Sequence, residues 1–243
     1  MRTIDPRGRL ARRSAIAGLG VVAIATLAVS LTYTPLFAAD DIRFDAPEGI
    51  PRAEILSLAR LTERSNVFHL DADAVERRLE RDPRILRATV TTSLPSRITI
   101  EIAQRTPVAV VGDDEALVGA DGVVIGTEGS ALRLPVLRTP DGAVPRPDDL
   151  RSAAATAEAL GDELRAESEA VIVADDGTVR VRLKDGFTAL FGESTGLHAK
   201  AASLAALLAW VRAEGVSIVS ADVSVPGSPT AKLEPGAHAV AIP

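Results

Sequence analysis

Ile85 to Ile102 reads ILRATVTTSLPSRITIEI, and its alternation decides what kind of domain surrounds it. Arg87-Ala88-Thr89-Val90-Thr91 changes polarity at every step, and Ile98, Ile100 and Ile102 recur at a period of two, so each stretch predicts a strand with one apolar face. Leu94-Pro95-Ser96 between them predicts the turn of a hairpin. An apolar sheet face needs a cover, and the chain upstream offers two short helices. Pro51 suits the first turn of one, in which Ile55, Leu58 and Ala59 share a face. Ser65 to Leu70 is a connection whose apolar residues plug inward. Asp71 is placed to cap the second helix, Leu70 and Val75 have the spacing of a hydrophobic staple, and Val75 with Leu79 form the buried stripe before Pro83 stops it. Further back, Asp41-Ile42-Arg43-Phe44-Asp45 alternates like a half-buried strand, so the expected order is β-α-α-β-β.

Ahead of that unit stands AIAGLGVVAIATLAVSLTYTPLF, Ala15 to Phe37, inside a stretch with no charge between Arg13 and Asp40. About 20 apolar residues span a bilayer's hydrocarbon core, so residues 15–37 predict a transmembrane helix in the lipid bilayer. Arg2, Arg7, Arg9, Arg12 and Arg13 against the single acid Asp5 give residues 1–14 a balance of +4 and keep that tail in the cytoplasm. A cleaved signal peptide is the alternative. Its apolar core usually runs about 7 to 15 residues, shorter than this one. The residues three before cuts after Ala38 or Ala39 are Leu36 and Phe37, which are not small. An uncleaved single-pass anchor, type II in orientation, is the better reading.

Beyond Pro107 the chain becomes strand-rich. Leu117 to Val124 predicts two short strands about Asp121-Gly122, and Val179 to Gly192 predicts a hairpin about Asp185-Gly186. A helix is expected to start near Asp148 or Asp149 and run from Leu150 to about Glu169, weakened only at Gly161. Leu197, Ala201, Leu204, Leu208 and Val211 mark a second, amphipathic one that Gly215 ends. Ala221 to Val225 and Thr230 to Leu233 are the expected closing strands.

The β-α-α-β-β unit resembles a POTRA domain. Its place after a single anchor, with Asn66, Phe68, Asp71, Asp82-Pro83, Ala88, Val90, Leu94-Pro95, Ile98, Ile100, Arg105 and Pro107-Val108-Ala109, resembles the FtsQ/DivIB family of bacterial cell-division proteins. Ser65 and Gln104 stand where that family usually has Gly and Glu, and Ser224 where Arg is frequent; Lys200 matches a common Lys. The resulting α+β fold class has a cytoplasmic tail at 1–14, a transmembrane helix at 15–37, a POTRA domain at 38–106 and a mixed β-rich domain with two helices at 107–243. The resemblance implies a non-enzymatic divisome scaffold in the cell membrane at the division septum, its C-terminal domain outside the cytoplasm, partnered by FtsB/FtsL-like anchored proteins. It also implies that FtsB docks near the end of the second domain, where Thr230, Ala231, Lys232 and Leu233 are the matching positions. Pro226-Gly227 before that strand makes it the expected outermost one, whose unpaired backbone can accept a strand from a partner; a merely solvated edge, blunted by Pro229 and Lys232, is the alternative.

Composition narrows the alternatives. The net charge of −6 leaves −10 beyond the basic tail, which argues against nucleic acid. There is no cysteine, hence no disulfide, thiolate nucleophile or Cys-ligated metal, and at 3% aromatic the chain has few stacking platforms for sugars or bases. His69, His198 and His238 lack the spacing of a metal motif. Gly192-Glu193-Ser194-Thr195-Gly196 mimics a nucleophile elbow, but at the expected junction of an antiparallel hairpin and a helix. The acid pairs Asp40-Asp41, Asp113-Asp114, Asp148-Asp149 and Asp175-Asp176 fall in turns or caps. No enzyme and no cofactor are expected. The rival class, a secreted hydrolase or ligand-binding protein with a cleaved signal, differs in losing residues 1–37. An outer-membrane POTRA chaperone would need barrel strands that do not follow.

Overall fold

The structure, a computed structural model, describes residues 19–27, 29–34, 37–46, 49–62, 65–127 and 133–233. It divides into two compact units, residues 1–104 and 105–243. Residues 19–27 and 29–32 are helical. Among the described residues no helix is long and apolar enough to cross a membrane. The span expected at 15–37 takes in residues 15–18, 28, 35 and 36, which lie outside the described ones, as does the tail 1–14.

In the first unit, β1 (Asp41–Asp45), β2 (Ile85–Ser93) and β3 (Arg97–Gln104) form a sheet of order β1-β3-β2. β3 is central, parallel to β1 and antiparallel to β2. Period-two burial does what the sequence predicts: Ala88, Val90, Ile98, Ile100 and Ile102 are buried, while Arg87, Thr89 and Thr91 are exposed. α1 (Arg52–Ala59) and α2 (Ala72–Leu79) bring Ile55, Ala59, Val75 and Leu79 into the same core. Leu58 only half-buries, because Ala59 occupies the inward position. Pro51 is the N-cap residue of α1, one place before its first turn. Asp71 caps α2 as expected, its Oδ1 accepting from the Ala74 N–H at 2.9 Å. Arg84 then clasps Asp82 (2.6 Å) and also bonds Glu54, tying the end of α2 to α1.

The described residues of the second unit form one nine-stranded sheet of order β12-β11-β10-β9-β8-β7-β4-β5-β6. Its strands are β4 (Pro107–Val111), β5 (Ala116–Gly119), β6 (Val124–Gly126), β7 (Val136–Arg138), β8 (Ser168–Val173), β9 (Val179–Leu183), β10 (Thr188–Gly192), β11 (Ile218–Asp222) and β12 (Thr230–Leu233). The pairs β4–β7, β7–β8 and β10–β11 are parallel, the rest antiparallel. Both predicted hairpins form, with Gly122 (φ 78°) and Gly186 (φ 89°) supplying the left-handed turn residues. Arg105 pins the first: its Nε donates to Asp121 at 3.0 Å. Burial works to raise the Asp121 carboxyl, yet the Arg105 hydrogen bond and the Val123 N–H outweigh it and hold that carboxyl below the usual range.

Two expectations need correction. The helix expected over 150–169 is instead α3 (Pro147–Ala159) and α4 (Gly161–Glu167), so the described residues of this unit form three helices rather than two. Gly161 adopts φ 68°, a left-handed conformation that breaks the run instead of merely weakening it, and Ser168 and Glu169 belong to β8. The strand expected at Ala221–Val225 is β11, three residues earlier. Ser224 N–H is taken by Asp222 Oδ1 (2.9 Å), so the ladder ends there. α5 (Leu197–Glu214) matches its predicted stripe and is closed by Gly215 (φ 65°). It packs with α3 on the sheet, where the small Ala153, Ala154 and Ala157 of α3 share one buried cluster with Val171, Val179, Val181 and Phe191.

Candidate functional site

Thr230, Ala231, Lys232 and Leu233 are the whole of β12, the last strand in the order at its end of the sheet. One side of it is hydrogen-bonded to β11, with Asp222 opposite Thr230, Ala221 opposite Ala231, Ser220 opposite Lys232 and Ile218 opposite Leu233. The other side continues into no further strand among the described residues. The turn that delivers the strand is built locally: Gly227 takes φ 76°, its N–H donates to Ser203 Oγ of α5 at 3.1 Å, and Ser228 N–H donates to Val225 O. β12 is thereby fixed to a helix as well as to its neighbour.

Its side chains divide by face. Ala231 is half-buried against the core cluster, whereas Thr230 and Lys232 are exposed on the opposite face. There they line an open trough with Arg180, Thr188, Leu190, Ser220 and Asp222. The Ser224 side chain and N–H hold the Asp222 carboxyl below the usual range, with the charge of Lys200 a smaller contribution. Lys200 itself is 3% exposed and donates from Nζ to the Glu193 carbonyl at 2.8 Å, bracing the loop between β10 and α5. The surface so formed offers backbone hydrogen bonds along one edge and alternating polar side chains above it.

The edges of the first unit are different, in a way that no sequence pattern announces. On β2, Val90 N–H donates to Glu76 Oε1 (2.7 Å) and Ala88 N–H to Glu80 Oε1 (3.2 Å), so α2 lays its glutamates along the strand. On β1, Arg52 donates to the Ile42 carbonyl (3.2 Å) and its guanidinium lies 4.7 Å from the Phe44 ring centre. These side chains occupy backbone groups that a docking strand needs.

The remaining candidates do not assemble. His69 lies under the Tyr33 ring, His198 is exposed 3.9 Å from Glu158, and His238 is outside the described residues. Ser194 is exposed in the loop before α5. Its preceding strand β10 does pair in parallel with β11, which the sequence reading missed by treating it as a simple antiparallel hairpin. Among the described residues no group of three or more His, Asp or Glu is placed to hold a metal ion.

Comparison with known proteins puts these features in company. Residues 37–105 match the family model described as POTRA domain, FtsQ-type. Over 218 residues the chain is 31% identical to the cell division protein FtsQ of Mycolicibacterium smegmatis, covering 88% of this chain and 62% of that one. It is 31% identical over 172 residues to FtsQ of Myxococcus fulvus, covering 63% and 61%. Against FtsQ of Mycobacterium tuberculosis H37Rv the identity is 28% over 216 residues, covering 88% and 66%. The matched region thus spans about three-fifths of the first two relatives, 62% and 61% of their length.

Proposed function

We propose, from its likeness to the FtsQ proteins above, that this chain belongs to the FtsQ family of bacterial cell-division proteins and is a membrane-anchored, non-enzymatic scaffold of the division machinery, docking a partner strand on β12. Residues 15–37 serve as its single-pass anchor, the arginine-rich tail stays in the cytoplasm, and the two units act outside it at the septum, coupling wall synthesis to constriction.

The observation that carries this reading is the contrast between edges. In the first unit Glu76, Glu80 and Arg52 satisfy outlying backbone groups of β2 and β1, while β12 ends its sheet with an open trough of mixed polar and apolar lining beside it. β6, at the sheet's far end, has only three residues, and shortness is itself a protection for an edge. Strand addition draws affinity from main-chain hydrogen bonds and selectivity from alternate side chains. The incoming chain in this reading is a small coiled-coil partner of the FtsB kind, with FtsL-like proteins in the same assembly, which the family resemblance supports.

Ala231→Pro tests the mechanism. Proline removes a backbone donor and disturbs the ladder at the last strand of the sheet. Pull-down of the FtsB-like protein is expected to fall at least tenfold, with far-ultraviolet circular dichroism unchanged. Undiminished capture by the folded variant overturns strand addition at this edge.

A further inference from the structure

We propose that the end of the first unit at which the chain arrives from the N-terminal helix is a lipid-docking surface, with Tyr33, Phe37, Phe68 and Leu94 seated at the boundary of headgroups and acyl chains. The inference rests on the reading of residues 15–37 as a membrane anchor and adds to it the residues that hold the folded unit against the bilayer.

The helical segment supplies the first argument. Leu19, Val21, Val22, Ile24, Leu27, Val29 and Leu31 are all between 49% and 72% exposed. Positions so closely spaced point to every side of a helix, and a helix apolar all round belongs in hydrocarbon or in a core.

The junction supplies the second, because the helix does not end in a loose tether. Asn66 Nδ2 donates to the Thr32 carbonyl at 2.7 Å, and Thr32 Oγ1 lies 3.0 Å from His69 Nε2. The Tyr33 ring stacks on His69 with centroids 4.3 Å apart and planes 21° apart. Phe37 meets Phe68 at 5.6 Å, and Phe68 stands edge-on to His69 at 5.3 Å. Ala38 bridges Asn66, and Ala39 N–H donates to Ser65 O at 2.9 Å. The 3-10 turn Val67–His69 is therefore clamped beside the helix end, at the depth where that helix leaves the hydrocarbon.

Exposure supplies the third. Three of the seven aromatic residues of the chain, Tyr33, Phe37 and Phe68, gather at this one place. Tyr33 is 68% exposed and Phe68 50%. Asp41 N–H donates to Ser96 O at 3.3 Å, which holds the β2–β3 turn to the start of β1 and brings Leu94, 62% exposed, to the same end. Aromatic side chains concentrate at membrane interfaces, where one part of the ring is apolar and the other wet. Among the described residues at this end the cations Arg43 and Arg97 are both paired with Asp41, at 3.1 and 2.7 Å, so apolar insertion rather than attraction to anionic lipid is what the surface offers.

The absence of cysteine makes a direct test simple. Single-cysteine variants Phe68→Cys, Leu94→Cys, Ile24→Cys and Asp176→Cys of the full chain, carrying a nitroxide, are reconstituted in phosphatidylcholine vesicles with and without phosphatidylglycerol. Depth is read from accessibility to oxygen against a water-soluble nickel chelate. Position 24 is expected in hydrocarbon, position 176 in water as befits a charged turn, and positions 68 and 94 at intermediate depth in both lipid mixtures. If 24 is deep but 68 and 94 are as open to nickel as 176, the docking surface is wrong while the anchor stands. If 24 is itself in water, the anchor fails and the docking surface with it. Intermediate depth that appears only with phosphatidylglycerol overturns the apolar basis and makes the contact electrostatic.

Discussion

Lys200 shows how much a single side chain does here. A buried ammonium needs a partner, and its Nζ has the Glu193 carbonyl at 2.8 Å, in the loop that leads from β10 into α5. Lys200→Met keeps the length of the side chain and leaves that carbonyl without its donor. We expect a loss of about 1–3 kcal/mol in urea unfolding, the usual cost of orphaning a buried acceptor; no loss means that water replaces the ammonium freely. Asp82 makes a second case, with a pH signature. The Arg84 side-chain hydrogen bond, joined by the Arg84 N–H and charge, holds its carboxyl below the usual value of 3.8. A carboxyl depressed in the folded state stabilises fully above its unfolded value and loses that stabilisation as pH falls through the folded one. Arg84→Gln is therefore expected to unfold more easily than wild type at pH 7, with the difference narrowing below about pH 4. A gap that stays constant from pH 7 to pH 2.5 refutes the linkage. Lys200 and Asp82 were visible in the sequence as matches to a family pattern, but their physical work was not, since the Glu193 carbonyl meets Lys200, and Glu54 meets the Arg84 that holds Asp82, only on folding.

Among the elements, α2 carries two separable duties. Its inner face buries Val75 and Leu79 completely. Leu79→Ala is expected to cost about 2–5 kcal/mol in chemical denaturation, and Leu58→Ala on α1 clearly less because Leu58 is only half-buried. Equal losses would mean that the two helices pack alike, contrary to the observed burial. Its flank holds Glu76 and Glu80 against the N–H groups of Val90 and Ala88. The double variant Glu76→Ala, Glu80→Ala bares that edge, and sedimentation velocity of the exterior is expected to show more self-association than wild type; an unchanged distribution shows that the carboxylates do not guard β2. The stripe on α2 was legible because helical burial leaves a periodic trace. The guard was not, because nothing in Glu76 or Glu80 says that a strand lies alongside. Gly161 and the end of β11 mark the same boundary of legibility. A glycine reads the same whether it merely loosens a helix or turns left-handed, and Ala221 and Val223 are both buried although the ladder stops between them, at Asp222. The candidate site was legible as a sheet boundary through Pro226-Gly227, whereas its trough needed Arg180, Leu190 and Asp222, which only strand order gathers.

For the whole molecule, the proposal separates what must be held from what must be recognised. Under it the segment at 15–37 would hold the exterior at the membrane, and that exterior would recognise partners through β12. The first half is checked by geometry in the cell: a reporter active only in the cytoplasm, fused after Pro243, is expected to be silent, and strong signal there ends the topology. The second half asks whether the sequence of the anchor matters beyond its hydrophobicity. A helix that is apolar on every described face presents lipid with little to distinguish one side from another. Replacing residues 15–31 by an unrelated transmembrane helix, while keeping the Thr32–His69 junction, is therefore expected to restore near-normal cell length in cells depleted of the native protein. The same exterior released without any anchor is expected to leave long, undivided filaments, because diffusion removes the high local concentration that places β12 beside other membrane-bound chains. Filaments with a correctly inserted replacement helix would show that residues 15–31 make specific contacts of their own within the bilayer. Normal division by the released exterior would show that recognition alone suffices.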